Sequence, residues 1–398
     1  MCSVMRSVML RILKIQMQNN FCYDIISSEI RENFELGLGE VGLKNRKISR
    51  RILFGIGMTL LVLMVITLIL FWNELRSLAS LKEIDDYGMY QMVYYGDYGF
   101  DDFLKVGAAS DADIEAFVTS RLLKGLPIDL GVTGDGCTAF VTENDNGDIL
   151  FGRNFDFLYA PSLQLFTNPE NGYASVSTVN LSFAGYSEDN LPDGFNFNSF
   201  LTLAAPFLPF DGMNEKGVAI ALLAVPEAQP PYNVDNVTLN TTTAIRLVLD
   251  KAATTDEAIE LLQQYNIYFS GDVTCHYLIS DANGHSVIVE YYDNAIQVVE
   301  TDKDYLIASN FIAYNDLNIG EGFTEFERYD TVLNVIKENS GVLDEDKAID
   351  LLAEIGVMAG ETDKLQWSVL YNLTTGDGQI FANRKMDNIT YFHLDVEK

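Results

Sequence analysis

Apolar residues gather first in one uncharged run, ILFGIGMTLLVLMVITLILFW, from Ile52 to Trp72. A helix rises about 1.5 Å per residue, so a run of this length suits the roughly 30 Å hydrocarbon core of a bilayer. It predicts a single transmembrane helix. KNRKISRR (Lys44 to Arg51) precedes it, and Asn73 and Glu74 follow. Positive charge before the span and little after it predicts a cytoplasmic N-terminus and an extracytoplasmic C-terminal part. A cleaved signal peptide is the rival, with SLAS (Ser77 to Ser80) as a loose cleavage site. The signal anchor is preferred, because the stretch before the span is long for an n-region.

Beyond the span the period changes. The text from Leu81 to Pro127 reads as acidic, helix-like and packed. Within it Ile114, Phe117, Val118 and Leu122 recur near helical spacing. From Thr138 short apolar strands alternate with turns. TAFVTENDNGDILFGRN predicts a hairpin turning at Asn146-Gly147. DGMNEKGVAIALLAV (Asp211 to Val225), Cys275 to Asn294 and Trp367 to Asn388 predict three more. Thr242 to Tyr265 predicts two helices separated by a Thr-Thr-Asp cap, and EFERYDTVLNVIKEN and EDKAIDLLAEIG predict another pair. Hairpins alternating with helix pairs predict an α+β domain of antiparallel sheets covered by helices.

Composition narrows the partners. The 398 residues are 48% hydrophobic and 12% aromatic, enough for a substantial core. A net charge of −31 repels phosphate backbones and excludes nucleic acid as a partner. The cysteines are Cys2, Cys22, Cys137 and Cys275, with no CxxC pair, and no P-loop occurs. No metal or other cofactor is therefore expected.

Cys137 raises the chemical question. A thiol attacks as thiolate, and its free pKa is about 8.5, so it needs help at neutral pH. The three histidines are His276, His285 and His393, and each reads as a packing or surface residue. Cleavage between Gly136 and Cys137 supplies another base. The new α-amine, with a reference pKa of about 7.7–8.0, can take the thiol proton. Arg153 and Asp156 lie on the second strand of the hairpin and fold back towards the cysteine. Arg153 would favour thiolate, and Asp156 would hold the new ammonium. The bland alternative is an ordinary Arg–Asp surface pair.

The block CTAFVTENDNGDILFGRNFDF resembles the start of the linear amide C–N hydrolases. These are the choloylglycine hydrolase and penicillin V acylase group, related to acid ceramidase and N-acylethanolamine acid amidase. The resemblance runs over most of residues 137–398, and GMNEKG at Gly212 to Gly217 matches a strand signature of the group. It implies an N-terminal-nucleophile hydrolase with a four-layer αββα sandwich. It implies catalytic roles for Cys137, Arg153 and Asp156, for Asn310 in ASNF as an oxyanion donor, and for Arg328 in ERYDTV as a charge partner of Asp156 and Cys137. The bland reading of Arg328 is a helix-surface pair with Glu327 or Asp330. One departure stands out. Bile-salt hydrolases carry a further asparagine where this chain has Ala224, so a backbone N–H would have to serve there.

The chain thus divides into a cytoplasmic segment (1–51), a transmembrane signal anchor (52–72), a helical leader or propeptide (73–136) and the hydrolase domain (137–398). The expected activity is cleavage of a linear amide through a Cys137 thioester, after self-cleavage at Gly136–Cys137. Acyl transfer to an amine, or an inactive binding protein on the same fold, are the alternatives. The Phe-, Tyr- and Leu-rich stretch from Leu163 to Phe210 suggests a small-molecule amide with an apolar acyl group as substrate. Self-association as a homo-oligomer is left open.

Overall fold

The computed structural model describes residues 44–125, 136–193, 198–320, 324–358 and 365–397. The chain forms two units, Met1–Leu70 and Phe71–Lys398. The first contains the helix Lys44–Leu70. Its stretch Ile52–Leu70 is, among the described residues, the one helix long and apolar enough to cross a membrane. The helix ends before Trp72, because Phe71 leaves helical geometry (φ −112°, ψ 21°) and Trp72 opens a separate helix, Trp72–Ser80.

In the second unit, two sheets stack between layers of helices. The nine-stranded sheet runs Lys82–Asp85, Met89–Tyr94, Ser162–Thr167, Ser175–Asn180, Pro209–Asn214, Ala219–Ala224, Cys275–Ser280, Ser286–Tyr292, Ala295–Glu300. The six-stranded sheet runs Leu306–Ser309, Cys137–Glu143, Ile149–Asp156, Leu365–Asn372, Asp377–Ala382, Thr390–His393. Helices Thr241–Lys251 and Thr255–Leu262 cover the outer face of the first. Helices Thr324–Glu338 and Glu345–Met358 cover the outer face of the second. This is the α+β, four-layer αββα arrangement expected from the sequence. Between the sheets, Phe155 packs on Trp367 and Phe210, with ring centroids 4.3 and 5.1 Å away.

Local chemistry explains the hairpins. In the first, Asn144 Oδ1 accepts from the N–H groups of Asn146 and Asp148, and Gly147 takes the positive φ (+80°) that closes the turn. That fixes the register from Glu143–Ile149 back to Cys137–Phe155. In the second, Asn214 serves twice. Its Oδ1 accepts from Lys216 and Val218, while its Nδ2 donates to the Leu249 and Ala252 carbonyls at the end of helix Thr241–Lys251. The second helix of the pair is capped as expected by Thr254, and the first by Asn240 in a capping box.

The segment ahead of Cys137 differs from the helical leader expected. Helices Trp72–Ser80, Phe100–Val106 and Asp111–Arg121 are present, but so are strands Lys82–Asp85 and Met89–Tyr94. Met89–Tyr94 pairs in parallel with Ser162–Thr167, so this segment extends the nine-stranded sheet. It also supplies core. Phe100, Phe103 and Phe117 surround Phe207 at 5.8, 5.3 and 5.5 Å. Tyr98 reaches in so that its hydroxyl lies 2.7 Å from both Asp250 oxygens, and Arg246 pairs with Asp250 at 3.2 Å. Full burial of one such phenylalanine is worth roughly 1.5–3 kcal/mol relative to exposure.

Candidate active site

Cys137 opens its strand, and its side chain points between the sheets, where it is 1% exposed. Arg153 comes from the neighbouring strand, opposite Ala139 and therefore on the same face as Cys137. Its Nη2 lies 3.7 Å from Cys137 Sγ and donates to the Leu222 carbonyl at 2.8 Å. Its Nε lies 3.2 Å from Asp211 Oδ2. Arg153 and Asp211 are both fully buried. A buried carboxylate needs such partners. Asp211 also accepts from Trp367 Nε1 (2.9 Å) and Tyr371 Oη (2.7 Å) on the facing sheet.

Asp156, Asn310 and Arg328 form the other wall. The Cys137 backbone N–H donates to Asn310 Oδ1 at 2.5 Å. Arg328 donates through Nη2 to the same oxygen at 2.8 Å and through Nη1 to Asp156 Oδ2 at 2.5 Å. The Asp156 N–H in turn donates to the Gly136 carbonyl at 2.9 Å. Arg328 is therefore buried against Asp156, away from the helix-surface partners Glu327 and Asp330. Asn310 Nδ2 donates to the Ala224 carbonyl at 2.7 Å. In the uncut chain the carboxamide thus grips the Cys137 nitrogen with its oxygen while its NH2 group is held by Ala224.

Burial pushes the Cys137 thiol up. The Arg153 guanidinium pulls the other way, Asp156 adds to the rise, and Arg328 and the Ala224 backbone N–H oppose it. The balance leaves the thiol above its ordinary value and favours the neutral form.

The structure brings all five sequence-derived residues, Cys137, Arg153, Asp156, Asn310 and Arg328, to one place. The histidines lie elsewhere. His276 is buried against Glu290 (2.9 Å), His285 sits 3.4 Å from Asp256, and His393 pairs with Asp377 and Asp395 at the surface. Cys137 and Cys275 are both free thiols. Among the described residues no cluster of His, Cys, Asp or Glu has the makings of a metal site. Sequence reading missed Asp211. Its signal was a lone acid in a strand whose inward positions are otherwise apolar, facing Trp367 and Tyr371 four residues apart.

Residues 137–346 match the sequence profile of the linear amide C–N hydrolases, choloylglycine hydrolase family. The chain belongs to this family. It is 26% identical over 224 residues to the bile salt hydrolase/transferase of Clostridium perfringens (strain 13 / Type A), covering 52% of this chain and 66% of that protein. It is 35% identical over 111 residues to the penicillin V acylase of Pectobacterium atrosepticum, covering 25% of this chain and 29% of that one. The matches therefore span under two thirds of each of these relatives. Similar solved structures include a conjugated bile acid hydrolase from Clostridium perfringens (TM-score 0.48, 18% identity, 66% of this chain and 93% of that chain). A Caenorhabditis elegans N-acylethanolamine-hydrolysing acid amidase is also similar (TM-score 0.40, 16% identity, 60% and 93%).

Gly136 is sterically fixed in this family member. A Cβ there would sit 2.8 and 2.9 Å from the Arg328 Nη atoms, and Arg328 cannot swing away while Asp156 and Asn310 hold it. Gly136→Ala is expected to destabilise the uncut chain by about 1–3 kcal/mol, the range for overpacking. Thermal unfolding of the uncut protein measures it.

Proposed function

We propose that this protein is an exported, membrane-tethered amidase that cleaves a linear, non-peptide amide through a Cys137 thioester. The observation that carries the reading is the hold on the Cys137 nitrogen. Asn310 Oδ1 and the Asp156–Arg328 pair already occupy the positions from which they would orient an α-amine released there. Family membership supports amide chemistry.

In the mechanism proposed, the chain cuts itself between Gly136 and Cys137. The freed α-amine takes the thiol proton as Sγ attacks the substrate carbonyl. Arg153 stabilises the developing thiolate. The Ala224 N–H, with Asn310 Nδ2 once that group turns from the Ala224 carbonyl, would serve the oxyanion. The protonated amine then hands its proton to the leaving nitrogen, and water releases the acyl group. The Phe-, Tyr- and Leu-rich stretch from Leu163 to Phe210 supports a substrate with an apolar acyl part, and the relatives' names point to bile-salt conjugates and penicillin V as first assays. Transfer to an amine instead of water is the second reading, favoured by the transferase activity in the Clostridium perfringens relative's name.

For localisation, Ile52–Leu70 would anchor the enzyme, and the preceding basic run favours an extracytoplasmic catalytic unit. N-terminal sequencing of purified protein should return Cys-Thr-Ala. A fully active preparation with the Gly136–Cys137 bond intact rules out the free-amine mechanism.

A further inference from the structure

Asn310 sits between two anchors, and only one of them belongs to its own sheet. Upstream, Leu306–Ser309 pairs with the Cys137 strand, ending at Ser309 opposite Thr138. Downstream, the chain leaves that sheet after Ser309; Phe311–Ile312 pairs instead with Ile319–Gly320, and between them the chain turns at Tyr314–Asp316, where Asn315 and Asp316 take positive φ. At this exit both free peptide N–H groups find one acceptor. Ala313 N–H donates to Glu290 Oε1 at 2.9 Å, and Tyr314 N–H donates to Glu290 Oε2 at 3.0 Å.

Glu290 belongs to the opposite sheet, on strand Ser286–Tyr292, and is completely buried. His276 lies one step beyond the Tyr277–Val289 pair of the adjoining strand, which puts it across from Glu290. Its Nδ1 is 2.9 Å from Glu290 Oε1, and it is 1% exposed. Burial alone would raise the Glu290 carboxyl, but the His276 contact and the two backbone N–H groups outweigh it and hold the group below the usual carboxylate range. A buried carboxylate is costly unless its partners satisfy it, and here His276 and the two N–H groups do so.

We propose that the His276–Glu290 pair is a positioning device that clamps the Asn310 segment across the two sheets and so sets the Asn310 carboxamide against the Cys137 nitrogen and the Ala224 carbonyl. This rests on the amidase reading above for its catalytic meaning, though not for the clamp itself. Among the described residues, the polar partners of Glu290 are His276, Ala313 and Tyr314, and none of the five site residues is one of them, so it acts through the main chain of residues 310–314. Phe311 adds the coupling to the other wall. It stacks on Phe326 at 4.8 Å and meets Tyr329 edge-on at 5.3 Å, both on the helix that carries Arg328. A shift at Ala313 would therefore disturb Asn310 and Arg328 together.

The test compares Glu290→Ala and Glu290→Gln with the full-length wild type. Hydrogen–deuterium exchange of peptides covering residues 310–318 reads the clamp, and kcat and KM with a conjugated bile acid and with penicillin V read its effect. Glu290→Ala should speed exchange in that segment and lower kcat roughly ten- to hundredfold, the scale of a small misplacement of a reacting group. KM should stay within about twofold, because no substrate-binding contact is removed. Glu290→Gln keeps one acceptor oxygen, so it should fold and fall between the other two in both measurements. Unchanged exchange in both variants overturns the proposal, and so does faster exchange with unchanged kcat. If wild type hydrolyses neither probe, it is the amidase reading that fails, and the exchange data still decide whether Glu290 clamps the segment.

Discussion

Cys137→Ala is expected to remove amide hydrolysis, with a fall in kcat on the order of 10⁶, as when the nucleophile is lost from other acyl-transfer enzymes. The fold should survive. Cys137 contributes one small side chain to the inter-sheet layer, and the strand it opens is held by the register with Ile149–Asp156 on one side and Leu306–Ser309 on the other. Two further signs accompany the loss if the sulfur also cuts its own chain. The intact mass should be that of the uncut protein, and labelling of this position by a thiol-reactive probe should vanish. Retained hydrolysis in a folded Cys137→Ala protein would move the chemistry away from this residue altogether.

The second large effect concerns the segment ahead of Cys137. Removing residues 71–125 should abolish soluble, folded protein. The deletion strips Met89–Tyr94 from the edge of Ser162–Thr167, leaving a long unpaired strand. It also exposes Phe207 and takes the Tyr98 hydroxyl from the buried Arg246–Asp250 pair. Tyr98→Ala alone should cost about 3–5 kcal/mol, the scale for deleting a large buried aromatic. Circular dichroism and thermal unfolding check both. In a processed sample the two pieces should elute together in size-exclusion chromatography without denaturant. A folded, active fragment beginning at Cys137 and free of the preceding residues would contradict this.

Much of the site was legible because it is local. The Asn-Gly turn and the alternation on either side fix a hairpin, and the hairpin brings Arg153 back to Cys137. Asn310 and Arg328 were reached through resemblance, since nothing in their own spacing ties them to residue 137. Asp211 and Glu290 were missed for a related reason. Asp211 is a lone acid in an apolar strand, but its partners Arg153, Trp367 and Tyr371 come from distant strands. Glu290 has His276 in its own hairpin, but nothing in the sequence marks the Ala313–Tyr314 exit that it holds. The strand Met89–Tyr94 was hidden by its neighbours. MYQMVYY sits in acidic text between helical stretches, and its pairing partner lies beyond the whole Cys137 hairpin. Ser175–Asn180 gave no period because Ser175, Ser177 and Thr178 are buried alongside Val176 and Val179.

The place of Cys137 at the very start of its strand has a consequence for how such a precursor would mature. The bond before it lies at the end of the ladder, just before the first paired residue, with the Gly136 carbonyl held by the Asp156 N–H and the Cys137 nitrogen already on Asn310. Cutting there would leave every strand pair in place. The protein would then be a zymogen whose latch is one covalent bond rather than a misplaced loop. Its activation would be first order, independent of protein concentration, and silent to any probe of secondary structure.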